Sequence, residues 1–170
     1  VPRIKSIPVL NAEEFVILTM ALVPHIVPGF FDTAIQQYLP QGGDFPELGG
    51  IKTGNQRGMQ PTGETALFVL AGMDVSERLR VSRYFSADHI FYKKNILWLD
   101  ATQHGEPALS AKLVLSQEYV DLLLIGKASK PRFSSSFPAR HIETGLGWDD
   151  LVLSVDAMQQ VQELQSWLLH

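Results

Sequence analysis

Apolar residues recur at helical spacing through the first half of the chain and give way to short alternating runs in the second. Asn11 with Glu14 three residues later makes a capping pair for a first helix to about Val23, which Pro24 is expected to terminate. This helix is apolar almost all round, which predicts a place deep in the core. A second helix begins near Pro28 and sets Phe30, Phe31, Ala34, Ile35 and Tyr38 along one side as far as Pro40, so that two short helices pack together. Gln41 to Pro61 is rich in glycine and polar residues and reads as a long loop that carries function or wraps an edge. Thr62 caps a third helix ending at Gly72, and Asp74 with Glu77 forms a capping pair for a fourth through about Tyr84.

Ile96-Leu97-Trp98-Leu99 and Ala111-Lys112-Leu113-Val114-Leu115 are strand-like runs separated by the turn-rich Gln103-His104-Gly105-Glu106-Pro107, which predicts a hairpin. Ser116 caps a helix that turns Tyr119, Leu122, Leu123 and Leu124 inward until Gly126 stops it. Residues 127–147 are irregular and proline- and serine-containing, as a linker would be. Leu151 to Leu153 is a brief strand candidate. Ser154 then caps a last helix with Met158, Val161, Leu164 and Leu168 at helical spacing and Gln159, Gln160 and Gln162 turned outward. The organisation expected is an α+β chain: a helical cluster with a small β-hairpin over residues 1–126, a linker over 127–147, and a strand and helix over 148–170. A chain that opens on Val1 and stops inside an amphipathic helix is expected to be a piece of a larger protein.

Composition narrows the partners. A formal net charge of −4 gives no global attraction to nucleic acid or anionic lipid. The absence of cysteine excludes disulfides and thiolate metal sites and makes the cytoplasm the expected compartment. The longest apolar run, Phe15 to Val23, falls short of the roughly 20 residues that cross a bilayer, so no membrane partner is expected.

The residues offer little catalytic chemistry. The five histidines, His25, His89, His104, His141 and His170, form no HExxH and no tight pair, so no metal is expected. His89, beside Asp88 and among Phe85, Phe91 and Tyr92, has the setting of a proton carrier, but a packed histidine at a helix end is the stronger reading. Gly49-Gly50-Ile51-Lys52-Thr53 has a superficial likeness to a phosphate loop. Ile51 stands where glycine should precede lysine, and its branched side chain would block a phosphate. Asp100 ends a strand without an acidic neighbour, unlike a magnesium-holding aspartate. Ser134-Ser135-Ser136 lacks the glycine-flanked elbow of a nucleophile. Glu13-Glu14 suits a helix start, and Asp149-Asp150 a structural role. Arg78, Arg80, Arg83, Lys93 and Lys94 would form a modest positive patch if they shared a face, though their spacing spreads the arginines over a broad arc.

Helices followed by a hairpin fit a winged-helix-like layout, one of several α+β arrangements. The run Gly49-Gly50-Ile51-Lys52 to Gly58, Pro61-Thr62-Gly63-Glu64-Thr65-Ala66-Leu67-Phe68-Val69-Leu70-Ala71-Gly72 and Glu77-Arg78 resembles the variant winged-helix region that precedes the ATPase module of certain bacterial AAA-family ATPases. Gly105-Glu106-Pro107, Leu113 and Leu115-Ser116-Gln117-Glu118-Tyr119 continue the likeness, as do Phe137-Pro138-Ala139-Arg140 and Trp148-Asp149-Asp150-Leu151-Val152-Leu153. The resemblance implies a non-catalytic N-terminal region that recognises a protein substrate or DNA and serves an ATP-hydrolysing core in cis. ATP and magnesium would then belong to the parent protein, which is compatible with an oligomer, and this chain would hold no cofactor. Trp148, Leu151, Leu153, Met158, Val161, Leu164 and Leu168 are the residues expected to dock on that core. A winged-helix DNA reader acting through Arg78, Arg80, Arg83, Lys93 and Lys94 is the alternative.

Overall fold

The Asn11 side chain accepts the Glu14 N–H at 2.9 Å while the Glu14 carboxylate takes the Asn11 N–H at 2.7 Å, which satisfies two donors that a helix start leaves open. This reciprocal cap begins α1 (Ala12–Ile26) in a computed structural model that describes residues 8–41, 45–52, 54, 58–127, 145, 150 and 152–169. The helix runs through Pro24 instead of ending before it. In the last turn a proline forfeits one backbone bond, its ring is buried, and the Val27 N–H still reaches the Val23 carbonyl at 2.8 Å. Ile17, Leu18, Met20 and Ala21 face the core, but Phe15 and Ile26 are exposed, so α1 is less deeply set than its composition suggests. Its neighbour α2 (Phe30–Tyr38) departs at 107°, so the two helices do not lie side by side, and α2 buries no residue completely.

A short 3-10 turn, Pro46–Leu48, leads to Gly49 and Gly50, both at positive φ, and then to Ile51, which pairs antiparallel with Gln60. Gly49 has no room for a side chain, because a Cβ there would lie 2.7 Å from that of Glu64. Thr62 then caps α3 (Gly63–Ala71) and Gly72 closes it, as expected. Asp74 caps α4 (Val75–Ser82) by accepting the Glu77 N–H at 3.0 Å, and the chain tightens into a 3-10 turn over Arg83–Phe85. Sequence periodicity did not signal the next element, α5 (Ile90–Lys93), since four residues are too few to show a period.

The hairpin forms as β1 (Leu97–Leu99) and β2 (Leu113–Leu115), antiparallel, with Leu97 opposite Leu115, Trp98 opposite Val114 and Leu99 opposite Leu113. A lone bridge between Thr62 and Lys112 adds the segment before α3, the Leu113 N–H bonding the Pro61 carbonyl at 2.9 Å. Ser116 caps α6 (Gln117–Ile125), and Gly126 ends it in the left-handed conformation. Tyr119 and Val120 are buried and Leu122 and Leu123 half-buried, but Leu124 is exposed. At about 100° per residue Leu124 has rotated out of the inward face. The core joins Ile17, Leu18 and Ala21 of α1 to Ala66, Phe91, Ile96, Leu97, Leu113, Leu115 and Tyr119. The fold is mixed α and β, several helices around one small antiparallel hairpin.

The chain divides into two compact units, Val1–Ser129 and Lys130–His170. The second contains α7 (Val155–Leu169), started by Ser154, whose hydroxyl accepts the Ala157 N–H at 3.3 Å and whose carbonyl accepts the Met158 N–H at 2.9 Å. Of the strand expected over Leu151 to Leu153, Val152 and Leu153 are described, and they pair with no described segment. Trp148 and Leu151, and nearly all of the segment 127–147, lie outside the described residues.

Candidate functional site

A dense polar cluster ties α1 to α4 and its following turn. Arg80 of α4 grips both carboxylate oxygens of Glu13, Nη1 to Oε2 at 2.7 Å and Nη2 to Oε1 at 2.6 Å, and sends Nε to Glu77 at 2.8 Å. Tyr84 donates its hydroxyl to Glu13 Oε2 at 2.6 Å. The Arg80 guanidinium first, and then the Tyr84 hydroxyl, hold the Glu13 carboxyl down at about 2, while Arg80 itself is raised by the same partners. Burial, reinforced by the Glu13 charge, raises the Tyr84 phenol. A carboxylate held this low by three donors is a very weak base. The cluster is a clasp between helices.

His89 caps α5, its Nδ1 accepting the Phe91 N–H at 3.3 Å. That bond assigns the ring proton to Nε2, which donates to Glu14 Oε1 at 2.9 Å. With Tyr84 and Phe91 edge-on against the ring at 5.1 and 4.7 Å, His89 is a packed helix-end residue. Both ring nitrogens are engaged, Nδ1 by the start of its own helix and Nε2 by α1.

Of the five basic residues singled out in the sequence, three are matched to acids. Arg78 bonds Glu64 and the Gly72 carbonyl, Arg80 is held by Glu13 and Glu77, and Lys93 sits 3.5 Å from Asp88. Only Arg83 and Lys94 have no carboxylate partner among the described residues. Gly49 to Lys52 does not build a phosphate loop: Ile51 is locked in its bridge to Gln60, and among the described residues no helix follows before α3. Asp100 sits exposed at the end of β1, with Lys112 Nζ 3.7 Å away and the Ala101 N–H on its other oxygen at 2.9 Å. Among the described residues no three His, Asp or Glu side chains gather as metal ligands would, and no single helix is long and apolar enough to cross a membrane.

Two adjoining cavities border α2. One of about 590 Å³ is wholly apolar, walled by Phe30, Phe31, Tyr38, Phe45, Phe68 and Met20. The other, about 410 Å³, is edged by Gly49, Gly50, Lys52 and Asp32. Burial works against ionisation of Asp32, but the Met59 N–H at 2.7 Å and Lys52 at 3.2 Å outweigh it and keep its carboxyl below the usual range. This pair fastens the end of the long loop to α2. The apolar cavity offers burial of a partner's surface rather than bond-making chemistry, and sequence spacing hinted at it only through the aromatic side of α2.

In α7, Met158 and Val161 are half-buried, while Val155, Leu164 and Trp167 are 84, 63 and 82% exposed and Leu153 is 40% exposed. The helix is described through Leu169, but the Leu168 side chain lies outside the described residues. No family model, no curated protein and no solved structure matches this chain.

Proposed function

We propose that this chain is the non-catalytic N-terminal region of an AAA-family ATPase, a winged-helix-like recognition unit coupled through its second unit to an ATP-hydrolysing core. The observation that carries the reading is the apolar surface that α7 leaves in water at Leu164 and Trp167, which lie about 60° apart around the helix. Solvated aliphatic and aromatic side chains along one helix are what a partner surface would cover. Burial of such a side chain contributes roughly 1.5–3 kcal/mol at best, and tethering within one polypeptide makes a few of them a firm dock. The helices that precede the β1–β2 hairpin, the Thr62–Lys112 bridge beside β2 and the motif resemblance support the winged-helix part.

Hydrogen exchange across α7 with and without the ATPase core, in ATP and in ADP, tests the proposal. Strong extra protection of Val155 to Trp167 when the core is present is expected, and equal exchange in all states refutes docking. The DNA-reading alternative is left with Arg83 and Lys94 as its unmatched cations. A binding constant that falls steeply with salt, and less steeply after Lys94→Ala, would favour it instead.

A further inference from the structure

A separate cavity of about 330 Å³ opens where the turn after α4, the helix α5 and the end of β1 meet. Four aromatic residues line it, Tyr84 and Phe85 from the turn, Tyr92 from α5 and Trp98 from β1, together with Asp100. Its lining holds one carboxylate and no cationic side chain. Tyr84 rests edge-on against His89, but Phe85, Tyr92 and Trp98 make no ring-to-ring contact with any described residue, so their π faces are not spent on one another. Phe85, Tyr92 and Trp98, drawn from three elements and without an aromatic partner among the described residues, differ from an ordinary aromatic core, in which rings close edge to face.

We infer that this cavity is a recognition pocket for a methylated ammonium cation. The negative faces of the rings attract a diffuse, weakly hydrated positive charge, and Asp100 supplies a formal countercharge. Lys112 is a loose partner for Asp100 at 3.7 Å, and more than half of the Asp100 side chain is exposed, so the carboxylate can turn toward an incoming cation. An anion would meet both the carboxylate and the ring faces. A purely apolar ligand would gain the rings but strand Asp100 beside it. The volume suits one side-chain head or one small quaternary ammonium, at the lower end of the roughly 300–1,000 Å³ of ligand pockets.

The test titrates the full chain with choline, with a peptide carrying trimethyl-lysine, and with the same peptide carrying the neutral tert-butyl isostere, following the Trp98 indole N–H by NMR. That resonance is assigned by Trp98→Phe. Saturable shifts with a cation, at least about tenfold tighter than with the neutral isostere, are expected. Equal affinity for choline and peptide would mark a free cation as the source, and tighter peptide binding a modified protein. Tyr92→Ala, at an exposed ring, should weaken the cation roughly three- to tenfold, and Asp100→Asn about fivefold without changing the neutral isostere. Isostere binding as tight as the cation, or no shift with either cation at 10 mM (roughly ten times a weak millimolar Kd), overturns the inference.

Discussion

Thr62→Val removes one oxygen from a residue only 1% exposed and keeps its shape, which isolates what that oxygen does. Thr62 Oγ1 accepts the Gly50 N–H at 3.2 Å and the Thr65 N–H at 3.3 Å and lies 3.1 Å from the Thr65 hydroxyl. Thr65 is wholly buried, so its amide finds no water after the substitution, whereas the half-buried Gly50 amide is partly compensated. A lost N-cap costs about 0.5–2 kcal/mol and a stranded buried donor about 1–3 kcal/mol. Because the Thr65 amide is counted in both, the expected loss is about 2–4 kcal/mol with the Gly50 contribution added. Thr62→Ser retains the oxygen and sheds one methyl, which should cost about 1 kcal/mol. Urea unfolding followed by Trp98 fluorescence, in a background of Trp148→Phe and Trp167→Phe, reports the first unit alone. Amide exchange at Gly50 and Thr65 should accelerate in Thr62→Val only. Valine and serine variants of equal stability would show that the shared oxygen does not join the loop to α3.

Two further outcomes follow from the core and the clasp. Phe91→Ala, at a side chain 1% exposed, should cost about 3–5 kcal/mol by thermal or urea unfolding, and a loss under about 1 kcal/mol would place Phe91 outside the core that matters. Glu13 has a folded pKa of about 2 against an ordinary 4.5, so its contribution is complete above the higher value and disappears as pH falls through the lower. Solvent screening of a side chain 31% exposed holds that contribution to about 1 kcal/mol. The stability gap between the wild type and Glu13→Gln should therefore shrink between about pH 5 and pH 2, and a gap independent of pH would refute the linkage.

Local chemistry made most elements legible in the sequence. Asn11, Thr62, Asp74, Ser116 and Ser154 all start helices, and Gly72 and Gly126 end them, because a cap is written within a few neighbouring residues. Pro24 misled, since its cost depends on how much helix lies beyond it. The clasp was illegible for a different reason: Glu13 meets Arg80 67 positions away and Tyr84 71 away, and no spacing rule reaches so far. Glu13 looked like a carboxylate placed for the helix dipole, which is also true of its position. The aromatic pocket escaped notice in the same way, since Tyr84, Tyr92 and Trp98 come from three elements whose meeting only tertiary packing decides. Arg78 pairs with Glu64 on another helix, a match that local spacing does not predict.

The pairing of Ile51 with Gln60 has a practical corollary. It ties the entrance and exit of the intervening segment at one place, and Gly58 anchors the exit further, since a Cβ there would sit 2.0 Å from the Pro28 carbonyl oxygen. Extra residues spliced after Gly54 only enlarge a ring already closed, at about 0.6 kcal/mol for each doubling of its length. A reporter tag inserted there should leave α3 undisturbed, whereas the smallest change at Gly58, a single methyl, forces the backbone apart. Tolerance to insertion and intolerance of substitution thus sit four positions from each other.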